Sequence, residues 1–242
     1  MKETLWNDFV RYDFTFKGND ATLVLPKQPA EGKPWIFRAE FFGAFPSADI
    51  ALCKHGYHIA YIKNSDKFGC DESLEVMREF HDYLVSQYSL NEKTVLFGFS
   101  RGGLYSVNYA YKYPEKVAVL YLDAPVLNIL SWPAGLGAGI GSEKDWMLCK
   151  QCYGLTNGTA LSFRGNPIDK AEALAKLGIP IISVCGDADK TVPYSENTQI
   201  FAQRYKASGG TISVIVKPGV DHHPHSLENP EAIIKFIKNY YI

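Results

Sequence analysis

The sequence has almost no excess of charge of either sign. Its 25 lysine and arginine residues are balanced by 26 aspartate and glutamate residues, which gives a formal net charge of −1 at pH 7. No block of basic residues occurs along the chain. Binding to nucleic acid or to an anionic membrane surface depends on clustered lysine and arginine. The composition therefore argues against both as partners and favours a small, neutral or modestly charged molecule.

Long apolar runs are also missing. No uninterrupted apolar stretch reaches the roughly 20 residues that a membrane-spanning helix requires, and residues 1–8 lack the charged-then-apolar layout of a secretory signal peptide. These absences favour a cytoplasmic location for the chain as given. A leader removed beforehand is compatible with the same residues.

Cysteine is scarce, and its five copies follow no regular spacing: Cys53, Cys70, Cys149, Cys152 and Cys185. A cytosolic protein of this size needs no disulfide bonds, so we expect reduced thiols. Cys149 and Cys152 form a C-x-x-C pattern. Such a pair functions either as a redox dithiol or as half of a zinc site. No second C-x-x-C or spaced histidine pair supplies the other two zinc ligands. We therefore expect neither function.

Residues 98–102 of the chain form a G-x-S-x-G pattern, which follows an apolar run at 95–97 and precedes a helix-compatible segment. A serine at the tip of a tight strand-to-helix turn has an exposed hydroxyl, and small neighbours such as Gly98 and Gly102 let the two elements pack closely. The helix N-terminus also directs free N–H groups toward the reacting atom. Ser100 is therefore a candidate nucleophile, and an ordinary turn serine is the alternative.

Two further motifs follow in the chain order that a serine nucleophile needs. An aspartate-containing loop at 186–193 follows the apolar run 179–184, and a loop at 219–222 that ends in histidine follows the run 212–216. From Trp35 to the C-terminus the sequence thus resembles the α/β-hydrolase family, with a G-x-x-D-x-x-V-P acid loop and a G-x-x-H histidine loop.

The resemblance implies a role for each motif. It implies Ser100 as nucleophile, Asp189 as acid and His222 as base, with no metal and no organic cofactor. The amino-acid sequences of segments 37–39, 100–103 and 222–225 resemble a narrower group, the prolyl-oligopeptidase-like bacterial esterases.

Neighbouring histidines compete for the role of the base. In similar proteins the residue three positions after the Gly219 turn lies at the loop tip, which favours His222 over His223 and His225. The three histidines also raise the alternative of a metal site, but Pro224 and the acid loop upstream favour a catalytic-histidine loop.

The acid has rivals as well. The spacing to the Val-Pro pair matches Asp189, which leaves Asp187 as a turn residue or a neighbour of the site. Asp123 follows the predicted strand 117–122 and stays open, because some members of the family carry the acid there.

An oxyanion formed on the substrate needs two backbone donors. The N–H of Arg101 is one candidate, and the other comes from Glu40 or Phe41, where the chain departs from the His-Gly dipeptide common in the family. Arg38 and Arg101 offer positive charge to an acidic or polyhydroxylated substrate. A buried pair between Arg38 and Glu40 is the alternative.

Periodicity predicts an α/β protein. Residues 11–16 and 21–25 form an antiparallel hairpin around a turn at 18–20 and provide the entry edge of the sheet. Apolar strands at 35–39, 59–62, 95–99, 117–122 and 181–185 alternate with amphipathic helices. The expected fold is a mostly parallel, twisted sheet of about eight strands with helices on both faces, in a single domain over 1–242.

Residues 124–167 interrupt the alternation. This segment carries Trp132, Trp146 and several glycines, and the resemblance implies a cap or loop insertion over the active site. The two tryptophans then line a substrate pocket, or they anchor an irregular loop on the core.

Together these features predict a serine hydrolase that cleaves carboxylic esters through an acyl-enzyme. The narrower resemblance adds deacetylation or demethylation of carbohydrate esters. A peptidase or amidase of the prolyl-oligopeptidase type and a non-catalytic binding protein with the same fold remain as alternatives.

Overall fold

The computed structural model describes residues 1–241. A nine-stranded sheet runs in the spatial order β1-β2-β3-β5-β4-β6-β7-β8-β9. Its strands are β1 (Lys2–Trp6), β2 (Phe9–Phe16), β3 (Asn19–Leu25), β4 (Trp35–Arg38), β5 (His58–Ile62), β6 (Thr94–Phe99), β7 (Val117–Asp123), β8 (Ile181–Gly186) and β9 (Ile212–Lys217).

Helices connect and cover these strands. They are α1 (Ser47–Lys54), α2 (Asp71–Tyr88), α3 (Gly102–Lys112), α4 (Glu143–Tyr153), α5 (Asn157–Ala160), α6 (Pro167–Lys176), α7 (Thr198–Ala207) and α8 (Glu231–Tyr240). Among residues 1–241, no helix is both long enough and apolar enough to cross a membrane.

The N-terminal strands are antiparallel, as predicted. The hairpin between β2 and β3 turns at Lys17 and Gly18, whose φ angles of 47° and 83° suit a two-residue loop. The turn therefore begins one residue earlier than the predicted turn at 18–20 and is one residue shorter. Strand β1 pairs with the outer side of β2, so β1 and not the hairpin forms the edge of the sheet.

From β5 onward across the sheet, every neighbouring pair of strands is parallel. All residues of β4, β6 and β8 are buried, because helices cover both faces. One face packs against α2, α3, α6 and α7, and the other packs against α1 and α8. The predicted fold class, a mostly parallel sheet with antiparallel N-terminal strands and helices on both faces, is confirmed.

Parallel pairing places the carboxyl ends of β6, β7, β8 and β9 along the same edge of the sheet. Open α/β sheets carry their chemistry at this edge. The loops that follow β6, β8 and β9 contain the three predicted motifs.

Candidate active site

Ser100 lies at the turn between β6 and α3 in a strained conformation. Its φ is 50°, a left-handed value that residues with a side chain rarely adopt. The turn is held on both sides, because Ser100 N–H donates to Asp123 O at 2.9 Å and Val126 N–H donates to Ser100 O at 2.8 Å. The side chain is half-buried, so its hydroxyl remains within reach of solvent.

Two glycines allow this turn to form. A Cβ at Gly98 would lie 2.7 Å from Ser106 Oγ, and a Cβ at Gly103 would lie 2.6 Å from Pro125 Cβ. A Cβ at Gly102, by contrast, would have its nearest neighbour at 3.4 Å, on Glu40. Close packing thus depends on Gly98, as the sequence suggested, and on Gly103 more than on Gly102.

A continuous hydrogen-bonded chain joins the three motifs. Ser100 Oγ lies 2.9 Å from His222 Nε2, and His222 Nδ1 lies 2.7 Å from Asp189 Oδ2. The second carboxylate oxygen of Asp189 accepts the N–H groups of Thr191 and Val192 at 2.9 and 2.8 Å, which fixes its orientation. In this order the groups can remove a proton from a serine hydroxyl and stabilise the resulting imidazolium.

The acid loop and the histidine loop also hold each other. Asp187 Oδ1 accepts the N–H of Gly219 at 2.6 Å, and Asp221 Oδ1 accepts the N–H of Lys190 at 2.9 Å. A Cβ at Gly186 would lie 2.0 Å from Val220 O, so only glycine permits this approach. Asp187 therefore supports the turn of the histidine loop and does not contact the imidazole of His222.

The structure does not bring Asp123 to His222. Its carboxylate instead contacts His225 Nδ1 at 2.8 Å and accepts hydrogen bonds from Tyr121 Oη at 2.6 Å and Ser226 N at 2.9 Å. Asp123 and His225 form a second buried pair beside the first, with the rings of His222 and His225 4.9 Å apart. The sequence showed both residues but gave no signal that they pair.

Two of the predicted oxyanion donors, the N–H groups of Arg101 and Glu40, lie at the N-terminal end of α3. Arg101 is the first residue after Ser100 and caps the N-terminus of α3. The loop that follows β4 packs against this helix end, because a Cβ built on Gly102 would lie 3.8 Å from Glu40 N. Within residues 1–241, the N–H groups of Arg101, Glu40 and Phe41 donate no hydrogen bond. These donors are free to meet a substrate, and which two serve remains a prediction.

The Arg101 side chain has a role that the sequence did not reveal. It contacts Glu40 on the loop after β4, Asp66 on the loop after β5 at 2.7 Å, and Asp145 on α4 at 3.9 Å. Its guanidinium also lies 5.5 Å from the centre of the Phe41 ring. Three acidic residues distant in sequence thus converge on one cation at the rim of the site.

Arg38 is not a substrate-binding residue. It is fully buried, and its Nη1 donates to Asp49 at 2.8 Å while Nη2 donates to Ala44 O at 2.6 Å. The guanidinium also lies 3.9 Å from the centre of the Phe99 ring. The predicted contact with substrate is wrong, because Arg38 is buried away from the site surface. The alternative pairing with Glu40 is also wrong, because Arg38 forms its ion pair with Asp49.

The segment 124–167, predicted to be a cap or loop insertion, contains the helices α4 and α5. Trp132 and Trp146 are half-buried and pack against an apolar cluster made of Phe68, Leu104, Val126, Ile129, Cys149 and Val192. The rings of Trp132 and Phe68 lie 6.2 Å apart. Both tryptophans therefore anchor the segment, and their contact with substrate remains a prediction.

The five cysteines are all free thiols. Cys149 is fully buried within α4, and burial raises the pKa of its thiol well above the usual range. Burial thus disfavours the thiolate form of Cys149, on which disulfide exchange depends. Cys152, in turn, donates to Asp66 O at 3.5 Å.

Comparison with known proteins places this geometry in context. A family model described as alpha/beta hydrolase fold matches residues 34–146. The acylamino-acid-releasing enzyme of Mus musculus is 21% identical over 202 residues, which cover 76% of this chain and 27% of the mouse enzyme.

Solved structures of other proteins share the fold of this chain. The acylaminoacyl peptidase of Pyrococcus horikoshii superposes with a TM-score of 0.74 at 14% identity, over 96% of this chain and 42% of that one. A puromycin hydrolase superposes with a TM-score of 0.70 at 15% identity, over 94% and 37% of the two chains.

None of these three proteins bears the name of a carbohydrate esterase, so the narrower resemblance to such esterases gains no support. The chain spans between 27% and 42% of the length of these relatives, and at these identities the likeness establishes the fold. The protein has the α/β-hydrolase fold that its motifs predict.

Proposed function

We propose that the protein is a serine hydrolase that cleaves amide bonds of acylated amino acids or short peptides through an acyl-enzyme. The observation that carries the proposal is the hydrogen-bonded chain from Asp189 through His222 to Ser100. A serine hydroxyl is a weak nucleophile at neutral pH unless a base removes its proton. The imidazole of His222 lies at the distance that this transfer requires.

Each side chain has a defined step in this mechanism. Ser100 Oγ attacks the carbonyl carbon of the substrate while its proton passes to His222 Nε2, and Asp189 stabilises the imidazolium. The carbonyl oxygen becomes an oxyanion that accepts hydrogen bonds from Arg101 N–H and from the loop after β4. The imidazolium then protonates the leaving amine, and the C–N bond breaks.

Water completes the cycle in the same site. His222 removes a proton from the water molecule that attacks the acyl-enzyme, and it returns this proton to Ser100 Oγ when the acid leaves. Every proton that the imidazole takes up is therefore returned, and no external acid or base is consumed.

We propose an amide rather than an ester as the substrate because of the names of the similar proteins. Two of the three compared proteins are named as enzymes that release or cleave acylated amino acids. A peptidase of this type is the alternative that the sequence analysis left open. The ester predicted there serves as a probe, because an ester and an amide that share an acyl group form the same acyl-enzyme.

Matched substrates test the proposal. We would measure kcat/KM for an N-acetylalanine anilide, for the aryl ester of the same N-acetylalanine and for an acetylated monosaccharide, with the wild type and with Ser100→Ala. We expect turnover of the anilide and the aryl ester, loss of both in Ser100→Ala, and no turnover of the sugar acetate above background.

Other outcomes assign the protein differently. Turnover of esters without any turnover of the anilide would contradict the amide assignment and leave the acyl-enzyme in place. Absence of all turnover, with folding unchanged, would favour a binding protein that retains the fold without the reaction.

A further inference from the structure

Three histidines of one loop converge beside the candidate nucleophile. His222, His223 and His225 each place a ring nitrogen within 4.8 Å of a ring nitrogen of the other two. Their ring centres are 4.8 to 4.9 Å apart in every pair. Imidazole nitrogen is a preferred ligand of zinc and of neighbouring transition metals.

Two of the three rings are oriented as metal ligands are. The Nδ1 atom of His222 contacts Asp189 at 2.7 Å, and that of His225 contacts Asp123 at 2.8 Å. Both carboxylates are buried. Histidines that bind metals almost always direct their other ring nitrogen to such a partner, which fixes the tautomer and leaves the Nε2 lone pair for the metal.

The third ring provides access. His223 is exposed, and its ring centre lies 4.9 Å from that of His222 and 4.8 Å from that of His225, so it closes the cluster on the solvent side. On the other side of the loop, Lys217 Nζ donates to Ser226 O at 3.2 Å and holds the backbone in place.

We propose that His222, His223 and His225 form an inhibitory binding site for a divalent transition cation of the zinc type. Tetrahedral zinc with bonds of about 2.0 to 2.1 Å needs nitrogens roughly 3.3 to 3.4 Å apart, so the rings close inward by about 1 to 1.5 Å at most. Water takes the fourth position. The two neighbouring aspartates balance the charge of the cation.

Metal binding and catalysis compete for one lone pair. The Nε2 of His222 that binds the cation is the atom that accepts the proton of Ser100, 2.9 Å away. A bound cation therefore leaves Ser100 without its base and stops acyl transfer. This inhibition rests on the proposed function, whereas the binding of the metal does not.

The test separates the two. Metal-free wild type, prepared with a chelator, is titrated with ZnCl2 by calorimetry, and Co²⁺ is added in parallel to record its visible absorption. The rate at which a fluorophosphonate labels Ser100 is then measured with and without ZnCl2. We expect one Zn²⁺ per chain, a tetrahedral Co²⁺ spectrum, and labelling slowed about tenfold at a Zn²⁺ concentration ten times the Kd, by mass action.

Matched variants locate the site. His223→Ala removes the exposed ligand, and we expect it to lose the zinc stoichiometry and the effect of zinc on labelling. His55→Ala removes an exposed histidine far along the chain, and Cys152→Ser removes the most accessible thiol. Both should bind zinc and respond to it as the wild type does.

Two results would overturn the inference. Zinc binding that persists unchanged in His223→Ala places the metal elsewhere, and bound zinc that leaves the labelling rate unaffected shows that His222 is not a ligand. If the wild type is never labelled, the proposed function fails, and the calorimetry and the Co²⁺ spectrum still decide the metal site.

Discussion

Arg101 directs both Nε and Nη2 to a single carboxylate oxygen, Oε2 of Glu40, at 3.1 Å in each case. Glu40 is buried, its other oxygen has no hydrogen-bond partner within residues 1–241, and burial raises the pKa of its carboxyl against the opposing influence of Arg101. The side chain of the residue after the nucleophile therefore fixes the loop that is predicted to supply the second oxyanion donor.

Replacing this guanidinium is expected to impair the transition state more than substrate binding. A lysine at 101 keeps the backbone N–H but lacks the planar fork that contacts Glu40 and Asp66 together. Since loss of an oxyanion donor costs about 10²- to 10³-fold, we expect Arg101→Lys to lower kcat by up to about 10²-fold with little change in KM. Steady-state kinetics on the matched anilide and ester measure both constants.

A control is available on the surface of α2. Arg78 also pairs with two carboxylates, Glu75 and Asp82, and is distant from the site in the fold. Arg78→Lys should leave kcat unchanged. If Arg101→Lys behaves as Arg78→Lys does, the Glu40 loop does not depend on this ion pair.

The two buried aspartate–histidine pairs differ in their expected roles. In Asp189→Asn the carboxylate that orients His222 is lost, and we expect kcat to fall by about 10⁴-fold. In Asp123→Asn the acceptor of three contacts is weakened, and we expect a loss of about 1 to 3 kcal/mol in the free energy of unfolding with a far smaller effect on kcat. Chemical denaturation and kinetics on both variants distinguish them, and the reverse pattern would make Asp123 the acid.

The turn at Ser100 should be intolerant of one methyl group. Gly103→Ala places a Cβ 2.6 Å from Pro125 Cβ and 2.9 Å from Val126 O, so we expect the free energy of unfolding to fall by about 1 to 3 kcal/mol. Gly158→Ala in α5 meets nothing closer than 3.9 Å and should be neutral or slightly stabilising. Equal midpoints for the two variants in guanidinium denaturation would contradict the close packing at the turn.

Two buried histidines make the fold sensitive to acid. Burial lowers the pKa of His58 and of His81 to about 4, against 6.5 in the unfolded chain. Between these values the unfolded chain binds more protons than the folded one, so the stability is complete above pH 6.5 and is lost as the pH falls toward 4. Each histidine accounts for roughly 3 kcal/mol over this window.

Denaturation at a series of pH values tests this assignment. His81→Leu should flatten the dependence of the unfolding free energy between pH 6.5 and 4 by about half, whereas His55→Gln, at an exposed position, should leave it unchanged. An unaltered slope in His81→Leu would mean that this imidazole is protonated in the folded protein.

The sequence predicted the parallel core well because its signals are local. Buried strands such as β6 and β8 are mainly apolar, and the structure shifts their predicted ends by only one residue. Strand β1 was missed because the alternation in residues 2–6 is weak and most of its residues are exposed. Helix α4 was missed because its charged first turn and two cysteines mask the apolar face, of which only Cys149 is buried.

Pairing between distant residues could not be predicted in the same way. Arg38 and Glu40 are two positions apart in the sequence, but they do not pair. The helices packed around β4 and the loop that follows it determine which charged partner each of them contacts. Arg38 lies against α1 and meets Asp49, while Glu40 meets Arg101. The placement of Ser100, Asp189 and His222 was predictable because family motifs, rather than composition, identified them.

Activation of Ser100 by His222 is the central step of the proposed mechanism, and intact-mass and peptide analysis after fluorophosphonate treatment tests it most directly. We predict a single adduct on the peptide that contains Ser100, absent in Ser100→Ala and formed at a strongly reduced rate in His222→Gln. An adduct on another residue, or labelling of Ser100 at the same rate in His222→Gln, would contradict the account.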